Sequence, residues 1–202
     1  QGVDTLVYIS TDGGLFVSAD TGKSWLSLPS TGIPNNTRIF ALLQYAGRLL
    51  AGTSAGLYQF SRANRQWTLT MEGFIDKKSQ VRSLAAHSNN IVAGTLDYGV
   101  YISSDSAATW QPINGTKGGT GEIIPTQDSS AVAGLVSVGA GQLVVIVNTL
   151  SKDVNGNEQT DYSDIYRTSD NGSTWIVENI DSLSARDRKS TRLNSSHSSV
   201  SR

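Results

Sequence analysis

The sequence predicts an all-β fold made of one repeated antiparallel unit. Three observations predict it. The tryptophans Trp25, Trp67, Trp110 and Trp175 close four similar stretches, spaced by 42, 43 and 65 residues. Eleven residues before each lies a turn residue: Gly14, Gly56, Gly99 and Asp164. Between them, Val, Ile, Leu, Tyr and Trp fill short runs, Gly, Asn, Asp and Ser separate the runs, and no helical period occurs in 1–186. Four short strands in ~40–45 residues is the signature of a propeller blade. The chain therefore reads as a partial β-propeller of four-stranded antiparallel blades.

Each unit holds strands A to D. Strand C reads "GLFVS", "GLYQF", "GVYIS" and "DIYRT"; strand B reads "LVYIST", "RLLAGT" and "NIVAGT"; strand A reads "RIFALLQY" and "VRSLAAH". In the fourth unit "AVAGLVSVGAGQLVVIVNT" supplies both A and B. The first unit, about 1–28, lacks strand A; the complete ones span 37–70, 80–113 and 131–178. Propellers close with ~4–8 blades, so about three and a half blades read as part of a larger ring in one domain, 1–186. The open ends of such an array expose strand edges and one apolar face each.

Residues 187–202, "DRKSTRLNSSHSSVSR", show no hydrophobic period. These amino acids are what a widely used sequencing adapter would encode, through its index, so the stretch reads as translated adapter rather than a native Ser-rich tail. Without it, residues 1–186 carry 12 basic and 16 acidic side chains, a net charge of −4, against −1 for the full chain. A weakly acidic mixed surface gives no footprint for nucleic acid. No apolar run reaches the ~20 residues of a membrane helix. With no cysteine there is no disulfide, thiolate nucleophile or Cys-based zinc site.

The octapeptides "SADTGKSW" (18–25) and "TSDNGSTW" (168–175) fall between strands C and D. Asp20 and Asp170 can accept N–H bonds from the residues that follow. Gly22 and Gly172 permit positive φ. Ser24 and Thr174 are read as starting strand D, and Trp25 and Trp175 as packing on the neighbouring sheet. Ser18 and Thr168 complete the motif. The third copy, "SSDSAATW", keeps Ser103, Asp105, Thr109 and Trp110 but has Ala107 in place of Gly. The second keeps only Trp67, with Arg62 at the Asp position. Such variation suits a structural turn, not catalysis.

This motif and its placement resemble the Asp-box, or BNR, repeats of the sialidase-type propeller superfamily. That group includes sialidases, xyloglucan-cleaving glycoside hydrolases, sortilin-type receptors and photosystem II assembly factors. The "LLAGT…GLY" pattern most resembles the xyloglucanase and assembly-factor branch. The resemblance implies a propeller over roughly 1–180 and an extracytoplasmic or secreted location. It does not separate enzymes from binders.

In an up-and-down blade, A–B and C–D turns share one face, and B–C turns and D–A linkers the other. The two long insertions, the linker 114–130 and the B–C loop 148–163, fall on the second face. Loops on a rigid scaffold carry binding and catalysis. The candidate face thus carries Asp12, Phe74, Asp76, Lys77, Lys78, Asp97, Tyr98 and the stretch from Asp153 to Tyr162. Asp12 and Asp97, in equivalent B–C turns, are the candidate carboxylates for glycoside hydrolysis, which needs two across the scissile bond. A sialidase needs three arginines and a Tyr nucleophile, and the Arg-Ile-Pro motif usual in such enzymes is absent. "DVNGNEQTDYSD" places Asp153, Asn155, Asn157, Asp161 and Asp164 at positions 1, 3, 5, 9 and 12 of a Ca²⁺ loop, with Gly at position 4 instead of 6. A polar hairpin is the simpler reading, and no cofactor is otherwise expected. His87 reads as a surface turn residue. "GTKGGTG" (115–121) lacks the Gly-Lys-Ser/Thr ending of a phosphate loop. "NNT" at 35–37, "NGT" at 114–116 and "NGS" at 171–173 have the form of glycosylation acceptors.

The leading expectation is a non-enzymatic binding or assembly scaffold for a protein or glycan, because the repeats are regular and no catalytic constellation is visible. The alternative is a glycoside hydrolase, xyloglucanase-like or, further off, a sialidase.

Overall fold

The computed structural model describes residues 6–11, 14–115, 124, 130–139 and 141–178, leaving out the side chains of Glu158 and Tyr162. Asp12, most of the 114–130 linker and the 187–202 tail lie outside the described residues. Four antiparallel meanders make up the fold, and no helix occurs among the described residues.

Blade I is three-stranded: β1 (Val7–Thr11), β2 (Gly14–Ser18) and β3 (Leu26–Leu28). Blade II runs β4 (Ile39–Tyr45), β5 (Arg48–Thr53), β6 (Gly56–Ser61) and β7 (Gln66–Leu69). Blade III runs β8 (Val81–His87), β9 (Asn90–Thr95), β10 (Val100–Ser103) and β11 (Gln111–Pro112). Blade IV runs β12 (Ser130–Val138), β13 (Gln142–Lys152), β14 (Glu158–Thr168) and β15 (Ile176–Glu178). The chain is a partial β-propeller.

Turn chemistry sets the strand ends. Between β4 and β5, Ala46 and Gly47 both take positive φ, 47° and 75°, as a two-residue hairpin turn matched to strand twist requires. Between β5 and β6, Thr53 Oγ1–H donates to the Gly56 carbonyl at 2.8 Å, and Thr95 does the same to Gly99 in blade III. That bond explains the Thr ending "AGT" in both units.

Three apolar clusters fill the blade junctions. Leu49, Ala51, Tyr58 and Trp67 of blade II face blade I's Leu15, Tyr8 and Leu28. Ile91, Ala93, Tyr101 and Trp110 of blade III face Leu50, Leu57, Met71 and Phe74. Leu143, Val145, Tyr166 and Trp175 of blade IV face Val92, Val100 and Ile113. The alternation along each strand sends successive side chains into successive junctions. Two tryptophans also donate from Nε1 into the preceding blade, Trp67 to the Pro29 carbonyl at 2.8 Å and Trp175 to Ile113 at 2.7 Å.

Three expectations are corrected. His87 is fully buried at the end of β8, its Nδ1 3.0 Å from Ser137 Oγ of blade IV. It sits on an inner strand that the neighbouring blade covers, so its polarity is no guide to exposure. Phe74 is buried, stacked on Tyr101 at 4.2 Å and tilted against Trp110 at 5.5 Å, and offers nothing to a ligand. The stretch 148–163 is not an open loop: β13 and β14 stay paired out to Lys152 and Glu158, and only five residues turn. Ser151 Oγ donating to Asp161 at 2.7 Å and Ser163 Oγ donating to Asn148 at 2.8 Å hold the polar extension together across the strands.

Candidate functional site

The C–D turns of blades I, III and IV share one hydrogen-bond net. Ser18 Oγ donates to Asp20 Oδ1 at 2.7 Å and accepts the Gly22 N–H at 2.8 Å. Asp20 then accepts the Ser24 N–H at 2.9 Å and its hydroxyl at 2.6 Å. Ser103, Asp105, Ala107 and Thr109 repeat these contacts at 2.8, 2.8, 2.9 and 2.6 Å. Thr168, Asp170, Gly172 and Thr174 repeat them at 2.7, 2.9, 2.9 and 2.6 Å. The hydroxyl and amide of the residue before each Trp hold the carboxyls of Asp20 and Asp105 down to about 2, and hold Asp170 below its ordinary value. Ser24, Thr109 and Thr174 therefore belong to the turn and do not start strand D. The role of Ser18, Ser103 and Thr168, which tie the turn's far end, was the part the sequence reading left unassigned.

The turn backbone is left-handed at two successive positions. Thr21 and Gly22 have φ of 60° and 89°, Ser106 and Ala107 63° and 70°, Asn171 and Gly172 56° and 84°. At Gly172 a Cβ would lie 2.6 Å from Ile113 Cβ and 2.7 Å from its carbonyl oxygen. The next blade's turn thus closes directly on the linker of the blade before it.

The opposite face carries the relief. Among the described residues it carries the long β13–β14 hairpin. Asp153 accepts N–H bonds from Asn155 at 2.9 Å and Asn157 at 2.8 Å, and the Asn157 amide Nδ2–H at 3.1 Å. Those bonds, the Asn157 backbone N–H first, lower its pKa. Of the five calcium-loop candidates, Asp153, Asn155 and Asn157 gather at this turn. Asp161 and Asp164 lie three residues apart along β14, so the strand's rise of ~3.3 Å per residue separates their backbones by roughly 10 Å. Among the described residues no group of three acidic or His side chains is placed to hold a metal. Tyr162 opposes Thr149 in the ladder.

Asp97 sits at φ 73° in the β9–β10 turn, and its N–H donates to the Ser130 carbonyl at 2.8 Å. It thereby ties blade III to the start of blade IV. Lys77 pairs with Glu72 at 2.7 Å across the blade II–III linker, lowering the Glu72 pKa. Lys78 gives its N–H to Asp76 Oδ1 at 2.8 Å. Tyr98 packs against the blade II–III cluster, and its carbonyl accepts from Asn114 Nδ2 at 3.2 Å.

A cleft of about 760 Å³ opens between blades I and II on this face, and the sequence reading missed it. Thr11, Asn35, Asn36, Thr37 and Arg38 line its rim, with Leu15 and Phe40 among its apolar lining. The signal was the linker "IPNNTR", where a Pro and an Asn-Asn pair stall strand formation and hold polar groups outward. Arg38 and Ser54 exchange hydrogen bonds at its edge, Ser54 N–H to the Arg38 carbonyl at 2.9 Å and Arg38 N–H to Ser54 Oγ at 3.0 Å.

No protein-family model matches the sequence, and no curated protein matches it. Solved propellers do match the structure. The extracellular domain of a two component system from B. thetaiotaomicron superposes with a TM-score of 0.61 at 13% identity, over 88% of this chain and 22% of that one. A GH74 enzyme from Niastella koreensis gives 0.53 at 15% identity, over 86% and 27%. YCF48, solved bound to D1 peptide, gives 0.50 at 13% identity, over 86% and 64%. Identities this low establish the fold, and this chain spans less than two thirds of each of these proteins.

Proposed function

We propose that the chain is a non-enzymatic binding or assembly scaffold of the Asp-box propeller type, taking a protein segment or glycan on the face of the 114–130 linker and the 148–163 hairpin. The observation that supports this most is the relief of that face. A paired, mostly polar hairpin extends from blade IV, and a cleft lined by both polar and apolar residues lies between blades I and II. Concave sites with few placed polar groups on rigid elements favour recognition.

Panning a phage-displayed peptide library on the full chain tests the reading, alongside titration with xyloglucan oligosaccharides. Enrichment or saturable binding that is lost when 153–157 is replaced by Asn-Gly supports it. Release of reducing sugar from xyloglucan would overturn it in favour of the hydrolase. Binding untouched by the hairpin change would move the site off the hairpin, to the cleft between blades I and II or to another face.

A further inference from the structure

The linkers into blades II and III follow one backbone path. Gly32 in the first and Gly73 in the second take φ of 98° and 95°. A Cβ on either would run into the carbonyl oxygen of the next blade's tryptophan, Trp67 or Trp110. The N–H groups of those tryptophans donate to the carbonyls of Thr31 and Glu72, the residues just before the two glycines, at 2.8 and 2.9 Å. Counted from the glycines, Ser30 stands where Met71 stands, and Ile33 where Phe74 stands.

The side chains at these positions differ in size. Met71 and Phe74 are buried between blades II and III, in one cluster with Leu57 and Tyr101. Ser30 is exposed and Ile33 half-buried. The glycine at the head of each strand C registers the change. A Cβ at Gly56 would fall 2.6 Å from Met71 Sδ, and one at Gly99 would strike Asn114 Oδ1. At Gly14, whose φ of 123° matches the 119° of Gly56, nothing lies within 4 Å. Gly14, Ser30 and Ile33 all line the cleft between blades I and II. The cleft thus includes the space that Met71 and Phe74 fill one junction later. Ser30 follows β3, two strands away from β1. Linker side chains, not whatever lies beside β1, decide whether this part of the cleft is filled.

We propose that a peptide segment of a partner protein docks in this cleft by inserting a Phe or Met side chain into the space left by Ser30 and Ile33. The neighbouring junction shows the fit. There Phe74 stacks on Tyr101 with ring centroids 4.2 Å apart, and Tyr58 is the counterpart of Tyr101 in blade II. Leu15 and Ile33 give the anchor apolar lining, and Asn35, Asn36 and Thr37 give polar groups for the segment's backbone. Arg38 lines the same cleft and has no ion-pair partner among the described residues, so an acidic residue beside the anchor completes the match. A volume of about 760 Å³ lies within the ~300–1,000 Å³ of ligand pockets, and a large side chain seated in a pocket dominates affinity. The proposal rests on the binding reading, and it selects a protein segment over a glycan and the cleft over the hairpin.

A filled cleft tests it. Ser30→Met with Ile33→Phe gives this linker the side chains of the next one. The double variant is expected to melt a few degrees above wild type, as cavity filling does. A lower Tm overturns the proposal, because the cleft would then not be the vacated slot. Peptides enriched by phage panning on the wild-type chain are expected to share a Phe or Met beside an acidic residue. Changing that anchor to Ala, or filling the cleft, raises Kd by about tenfold or more. Arg38→Gln also weakens binding, and replacing 153–157 by Asn-Gly leaves it unchanged. Binding that survives the filled cleft but is lost with the hairpin overturns this proposal and leaves the binding reading standing. Saturable binding of xyloglucan oligosaccharides alone overturns the choice of a peptide. No binding of either probe overturns both.

Discussion

Gly172→Ala isolates the fit between one blade's turn and the next blade's linker. Two costs add. The backbone stays at φ 84°, where an L side chain loses about 1–2 kcal/mol. The new methyl also falls 2.6 Å from Ile113 Cβ, 2.7 Å from its carbonyl oxygen and 2.9 Å from Cδ1. Overpacking of this kind costs about 1–3 kcal/mol. The carbonyl cannot retreat freely, because it accepts the Trp175 indole N–H at 2.7 Å. Gly47→Ala is the control: its φ is 75° and nothing lies within 4 Å of the added Cβ, so it carries the strain alone. Urea titration followed by tryptophan fluorescence measures both. The difference between the variants is expected at about 2 kcal/mol, or roughly 4–8 °C in Tm for a chain of this size. Equal losses in the two variants would refute the claim that the turn closes on the linker.

Two further predictions follow from the same packing and charge. Phe74→Ala is expected to lose about 3–5 kcal/mol in urea unfolding, since Phe74 is buried, stacked on Tyr101 and tilted against Trp110; a loss under about 1 kcal/mol would return it to the surface. Acid should loosen the C–D turns. Asp20 and Asp105 titrate at about 2 in the fold against an ordinary 3.8, and Asp170 is lowered as well. A depressed folded pKa stabilises above the unfolded value and is lost as pH falls through the folded one. Tm should therefore fall between about pH 4 and pH 2, and Asp105→Asn, already destabilised at pH 7, should show a shallower fall.

What the sequence determined by itself is the repeat, its strands and its turns. These rest on contacts within a few residues: Ser18, Asp20 and Ser24 complete their net inside seven residues, and Ala46-Gly47 closes its hairpin alone. Such chemistry is written in order along the chain, so Trp spacing and turn residues were enough to read a partial propeller. What only the tertiary structure decided is which side chains a neighbouring blade covers. His87 reads as a polar turn residue until Ser137, fifty residues on, packs beside it. Phe74 reads as a linker residue until Tyr101 stacks on it. Asp97 reads as a turn residue of one blade, and only the structure ties its N–H to Ser130 of the next. The cleft likewise forms between two blades, from residues of β1, β2, β4 and the linker that joins blade I to blade II. Burial and clefts depend on surfaces brought together across blades, which local pattern does not encode. The contrast between the exposed Trp25 and its buried counterparts Trp67, Trp110 and Trp175 has the same origin, because a motif is local and the surface that covers it is not.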